Sequence, residues 1–195
     1  MIADVPPPPI HQDPIPFGAE RRADMRRYAR RHYGIRSARL KPRTIVQHVT
    51  VNTSYRATWN TFAPNVADGE LGELPGTCTH FVVDRRGGIH QLVPLELMCR
   101  HTVGLNHVAI GIEHVGMADG DVMGNARQLE ASLRLTRWLQ AEHDIRTRDV
   151  IGHNESLTSP YRVERVARLR DQTHGDMTRT TMRRYRRQLV RATGR

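Results

Sequence analysis

A chain of 195 residues with 38% hydrophobic content is long enough to bury one sizeable core, and an aromatic share of only 5% makes that core aliphatic. The net charge of +10 favours polyanions as partners: nucleic acid, an anionic membrane surface or an anionic cell wall. Two cysteines, Cys78 and Cys99, exclude a disulfide-rich scaffold. Both lie in apolar segments, so they read as small buried hydrophobes, with a single disulfide or a zinc ligand as the alternatives.

Residues 1–17 hold a run of four prolines, Pro6 to Pro9, and read as an extended arm, mobile or draped over the domain. This stretch has neither the basic n-region nor the apolar h-region of a secretory signal, and no span is long and apolar enough for a membrane helix. A helix is predicted over 19–33, within an N-terminal helical segment of residues 18–40. Its apolar face is Met25, Tyr28, Ala29 and His32, arginines cover the other faces, and Gly34 stands as its C-terminal stop. The arginine run reads as a polyanion contact or as a solvated helix face.

The main domain is read as residues 41–195. Thr44-Ile-Val-Gln-His48 is an apolar strand that ends on an imidazole. From Asn52 to Gly76 runs a long polar connection with a helical stretch near 54–61, and a connection this long is often functional. Residues 78–84 and 89–94 form a hairpin about Gly87-Gly88. Residues 108–115 form a central strand carrying Glu113, and a Gly- and Asp-rich turn follows Gly116. The clearest helix covers 125–143, with Leu129, Leu133, Leu135, Trp138 and Leu139 facing the core. A strand over 149–152 presents His153. A final helix over 178–191 carries Met182, Tyr185 and Leu189, with Asp176 or Thr178 as its cap. No internal repeat is present. Strands and helices interleave, so the class is α/β, a mixed central sheet flanked by helices.

Two strand-end histidines far apart in sequence, with an acid on a third strand, are the kit of a hydrolytic metal centre. Five segments carry a resemblance: Ile45-Val-Gln-His48-Val-Thr50, Thr79-His80 through Pro94, Arg100-His101-Thr-Val-Gly104, Asn106 through Glu113, and Ile151-Gly-His153-Asn-Glu155. In that order and with those gaps they resemble the zinc-dependent N-acetylmuramoyl-L-alanine amidases of the type-2 amidase and peptidoglycan-recognition-protein superfamily, over roughly residues 41 to 190.

The resemblance implies a single Zn²⁺-dependent amidase domain acting on peptidoglycan. It implies metal ligands at His48 and His153, a catalytic acid at Glu113, and groove contacts at His80 and His101. The family places an Asp or Cys as third ligand, two residues beyond a Lys that stabilises the oxyanion. Here Gln172-Thr173-His174 falls on that pattern, which makes His174 the third ligand and Gln172 the stabiliser. Asp176 is the alternative ligand, with Asp171 behind it, and Arg170 is the alternative stabiliser. His90, His107 and His114 read as structural or exposed. Peptidoglycan is the expected partner, with anionic wall polymers possible and no specific nucleic acid; a monomer is the default state. Without a visible signal, the expected routes to the wall are a removed signal, release through a phage holin, or a cytoplasmic recycling role. A non-catalytic peptidoglycan-binding module and a basic nucleic-acid-binding protein are the rival readings.

Overall fold

The structure, a computed structural model, describes residues 5–191. Its centre is a six-stranded sheet in the order β1-β4-β3-β5-β2-β6. The strands are β1 (His11–Gln12), β2 (Thr44–Val49), β3 (Phe81–Val83), β4 (Ile89–Gln91), β5 (Ala109–His114) and β6 (Val150–Gly152). All neighbouring strands run parallel except the β3–β4 hairpin, so the expected mixed α/β sheet is what forms. The central strands β2 and β5 are buried at every position, which is why they read as continuous apolar runs rather than alternating ones.

The pleat sorts the side chains. Ile45, Val49, Phe81, Val83, Ile110, Ile112 and Val150 join the main core under α1 (Ala19–Tyr33), α4 (Ala126–His143) and α5 (Arg179–Arg191). Val46, His48, Val82, Ala109 and Glu113 alternate with them and therefore face the other way. The remaining helices are α2 (Tyr55–Phe62) and α3 (Asp119–Gly124). The Gly- and Asp-rich turn thus contains a short helix that apolar periodicity does not reveal, because Val122 is its single buried residue.

Helix α1 has the expected buried face, and Gly34 closes it at φ 76°. Its arginines do not all face solvent. Arg21 is 2% exposed. It donates to the carbonyls of Pro16, Phe62, Ala63, Gly76 and Thr77, with contacts of 2.9–3.3 Å. Burial and the charge of Arg100 lower its pKa to about 10. Arg100 is equally buried and holds the Pro75 carbonyl at 2.7 Å, together with the Glu73 carbonyl and the Asp68 carboxylate. These two guanidiniums give the long 52–76 connection a fixed path, and a planar five-donor group suits such clusters of acceptors.

The proline arm is draped rather than loose. β1 adds to the sheet edge beside β4, Asp13 and Ile15 continue the ladder to Gln91 and Leu92, and Ile15 is buried. Residues 1–4 lie outside the described residues. Cys78 and Cys99 are buried as expected. They are joined as a disulfide, Cα atoms 5.6 Å apart, so the alternative pairing holds rather than two free thiols.

Candidate metal centre

β2, β5 and β6 are parallel neighbours, so their C-terminal ends open on one edge of the sheet, where α/β proteins place their sites. His48 sits near the end of β2. Glu113 is its register partner on β5, and partners share a face. His153 follows β6 directly. Gly152 brings that chain close: a Cβ there would lie 1.7 Å from the Met177 carbonyl oxygen.

Among the described residues one group could hold a metal: His48, His153 and Asp176, whose ligand atoms lie within 4.8 Å of one another. The two Nδ1 atoms are 3.0 Å apart, and Asp176 stands 3.7 Å from the first and 3.4 Å from the second. The third donor of this group is Asp176, the alternative ligand, and His174 does not belong to it. Asp176 is drawn in by the Val49 N–H at 3.1 Å. The chain after it is clamped by Asp119 on α3, whose carboxylate accepts the N–H groups of Met177 and Thr178 at 2.7 and 2.8 Å. His174 is 47% exposed, its Nε2 lies 3.0 Å from Glu70, and its ring stacks on His153 at 4.6 Å.

The donor set fits a metal. Ala109 offers His101 Nε2 a carbonyl at 3.2 Å, so that nitrogen carries the proton and His101 Nδ1 accepts. A proton on His48 Nε2 has acceptors in that Nδ1 at 3.1 Å and in the Thr102 hydroxyl at 3.3 Å, and this tautomer leaves His48 Nδ1 a bare lone pair facing His153 and Asp176. Burial holds His48 and His101 well below the usual histidine pKa, so both are neutral at pH 7, as a ligand such as His48 must be. Glu113 completes the setting. It is 8% exposed and its Oε2 has no hydrogen-bond partner among the described residues. Burial, then the charge of Asp176, raises its pKa well above the usual carboxylate range.

The other expected site residues divide. His101 lines a small groove of about 60 Å³ with His153, Gln172 and His174, as a groove contact would. Gln172 donates to Glu70 at 3.1 Å, and Arg170 is exposed. His80 is fully buried: its Nδ1 accepts the Gly111 N–H at 3.0 Å and its Nε2 donates to the Leu97 carbonyl at 3.0 Å. It braces β5 from behind and faces no groove. A motif histidine beside a strand carries no local sign of which side of the wall it occupies.

His80 also yields a pH prediction. Burial depresses its pKa to about 4, against an unfolded value of about 6.5. Below about pH 6.5 the unfolded chain takes up a proton that the folded chain refuses, so stability is full above that pH and falls toward pH 4. His80→Gln removes this loss. Its destabilisation relative to wild type, measured by urea denaturation, is expected to be smaller by about 2 kcal/mol at pH 5 than at pH 7. An equal difference at both pH values would refute the buried neutral ring.

Comparison with known proteins follows the same lines. The family profile described as Amidase_2, N-acetylmuramoyl-L-alanine amidase, matches residues 38–172. No curated protein matches in sequence. Among solved structures, an endolysin amidase LysCS from Clostridium intestinale is 20% identical with a TM-score of 0.54, over 77% of this chain and 84% of that one. An AmpD derivative is 16% identical with a TM-score of 0.57, over 92% and 93%. The structure of PlyL is 16% identical with a TM-score of 0.54, over 75% and 82%. At these identities the likeness is one of fold.

Proposed function

The chain belongs to the N-acetylmuramoyl-L-alanine amidase family, a hydrolase of peptidoglycan, and from that premise we propose that it cuts the muramoyl–alanine amide at a zinc site of His48, His153 and Asp176. The observation that carries this reading is the convergence of two imidazole Nδ1 atoms and a carboxylate beside the orphan oxygen of Glu113. Two histidines and a carboxylate are a usual catalytic donor set for zinc. When bound, the metal supplies Lewis acidity that polarises the scissile carbonyl and makes water nucleophilic at neutral pH.

The chain's own residues then have separate tasks. Glu113 takes the proton of the attacking water and delivers it to the alanine nitrogen as the C–N bond breaks, leaving a carboxylate and a free amine. His101 holds His48 by accepting its Nε2 proton, and is itself held by the Ala109 carbonyl. With Asp176 as the carboxylate ligand, the residue two positions earlier is His174, not Gln172. His174 lines the groove and is the better candidate to donate to the developing oxyanion, through its Nδ1–H, with Nε2–H held by Glu70. Gln172 binds the other oxygen of Glu70 and supports that carboxylate.

The test is Glu113→Gln. We expect zinc binding at one per chain, unchanged, and a fall in muropeptide turnover of about two to four powers of ten. Full turnover in that variant would move the proton transfer elsewhere. A carboxylate at this position also weighs against a non-catalytic peptidoglycan-binding module, since such a module would lack a third ligand. No helix among the described residues is long and apolar enough to cross a membrane.

A further inference from the structure

We propose that the arginine-lined cleft at the C-terminal end of α1 is a binding site for a phosphodiester wall polymer, which holds the enzyme beside its substrate. This rests on the peptidoglycan reading above. The cleft encloses about 650 Å³ and is lined by Arg27, Arg30, Arg31, Arg36 and Arg165 around Gly34, with no carboxylate in its walls. Arg27, Arg30 and Arg31 share one helix face by their i, i+3 and i+4 spacing. Arg165 arrives from a distant loop. Its N–H is fixed on the His32 carbonyl at 2.9 Å, and its guanidinium lies over Gly34, where a Cβ would be 2.6 Å from Nη1.

Only two of the five are held by acids. Arg27 pairs with Asp24, and Arg31 with Glu73 at 3.2 Å. The guanidiniums of Arg30, Arg36 and Arg165 have no carboxylate partner among the described residues. Like charges at helical spacing cost a few tenths of a kcal/mol per pair. The helix dipole offsets this for groups at the last turn, but it does not call for a fourth and fifth arginine converging from outside the helix. A ligand with several phosphates does, because each guanidinium can grip phosphate oxygens in a bidentate fork.

The shape favours a wall polymer over nucleic acid. No aromatic ring lines the cleft, so it offers no platform on which bases could stack. A concave wall also cannot enter a duplex groove. Its position is suited to the task. Glu73, the partner of Arg31, belongs to the same connection as Asp68, Glu70 and Leu71, which line the groove at His101, His153 and His174.

The experiment uses the full chain, with poly(glycerol phosphate) as probe and duplex DNA and uncharged dextran in parallel. Wild type is expected to bind poly(glycerol phosphate) but not dextran, and to lose about tenfold or more in affinity between about 50 and 200 mM salt. The triple variant Arg30→Gln/Arg36→Gln/Arg165→Gln is expected to lose at least about tenfold at low salt while cleaving soluble muropeptide like wild type. Equal binding by wild type and triple variant would overturn the proposal, and so would tighter binding of DNA than of poly(glycerol phosphate). If the triple variant fails to fold, the single substitutions are read instead, and each is expected to reduce the salt dependence by about one contact. A wild type that binds the polymer but leaves muropeptide intact would sink the amidase reading while leaving the cleft's chemistry standing.

Discussion

Asp176→Ala is expected to release the metal and abolish muropeptide cleavage, whereas His174→Ala is expected to keep the metal and lose about two to three powers of ten in kcat. The two residues are separated only by Gly175, yet the fold gives them different environments. Asp176 is 19% exposed and points both oxygens at imidazole Nδ1 atoms within 3.7 Å. His174 is 47% exposed and turned to Glu70. Removing an outer partner of a metal ligand already costs about 10- to 100-fold in metal affinity, and removing a ligand costs more. The measurement is zinc content by elemental analysis beside single-turnover cleavage. Zinc lost in His174→Ala and retained in Asp176→Ala would reverse the assignment. Zinc retained in both would mean that neither completes the site.

Gly152→Ala is expected to be the most destructive glycine-to-alanine change among the described residues. The added Cβ would meet the Met177 oxygen at 1.7 Å, its carbonyl carbon at 2.7 Å and its Cβ at 2.8 Å. Neither side can yield cheaply. Gly152 is paired to Gln47 in the sheet, and its N–H is tied to Glu155, which Arg186 grips through both oxygens at 2.7 and 3.0 Å. Met177 is at φ 48° and hangs on Asp119. Overpacking against immobile backbone exceeds the usual 1–3 kcal/mol, so we expect a loss of about 4 kcal/mol or more. The same methyl would drive His153 and Asp176 apart, so zinc binding should fail even where the chain stays folded at low temperature. Gly175→Ala is the control: nothing lies within 4 Å of its Cβ position, and its stability is expected within about 0.5 kcal/mol of wild type. Urea denaturation of both variants decides the point. A mild Gly152→Ala would mean that Met177 moves freely, and that the Asp119 clamp does not set Asp176.

The sequence by itself determined the longer elements and put forward two of the three groups of the candidate metal centre. Periodicity is a local property, so the helix of Met25, Tyr28, Ala29 and His32 and the helix of Leu129 to Leu139 were legible, and they run over Ala19–Tyr33 and Ala126–His143. An apolar run ending on one imidazole is local too, and the resemblance then singled out His48 and His153 as ligands. The third donor was named only as a choice between His174 and Asp176. Asp176 lies 23 residues beyond His153, and along the chain the family pattern falls first on His174, with Asp176 as the alternative and Asp171 behind it. The choice is made by groups from elsewhere in the fold: the Val49 N–H from β2 and the Asp119 carboxylate from α3. The same reason hid the burial of Arg21 and Arg100, whose acceptors, Asp68 apart, are backbone carbonyls, a group every residue carries and no sequence pattern marks. It also hid the inward turn of His80 and the convergence of Arg165 on α1. Each depends on where a distant segment ends, and only the tertiary structure decides that.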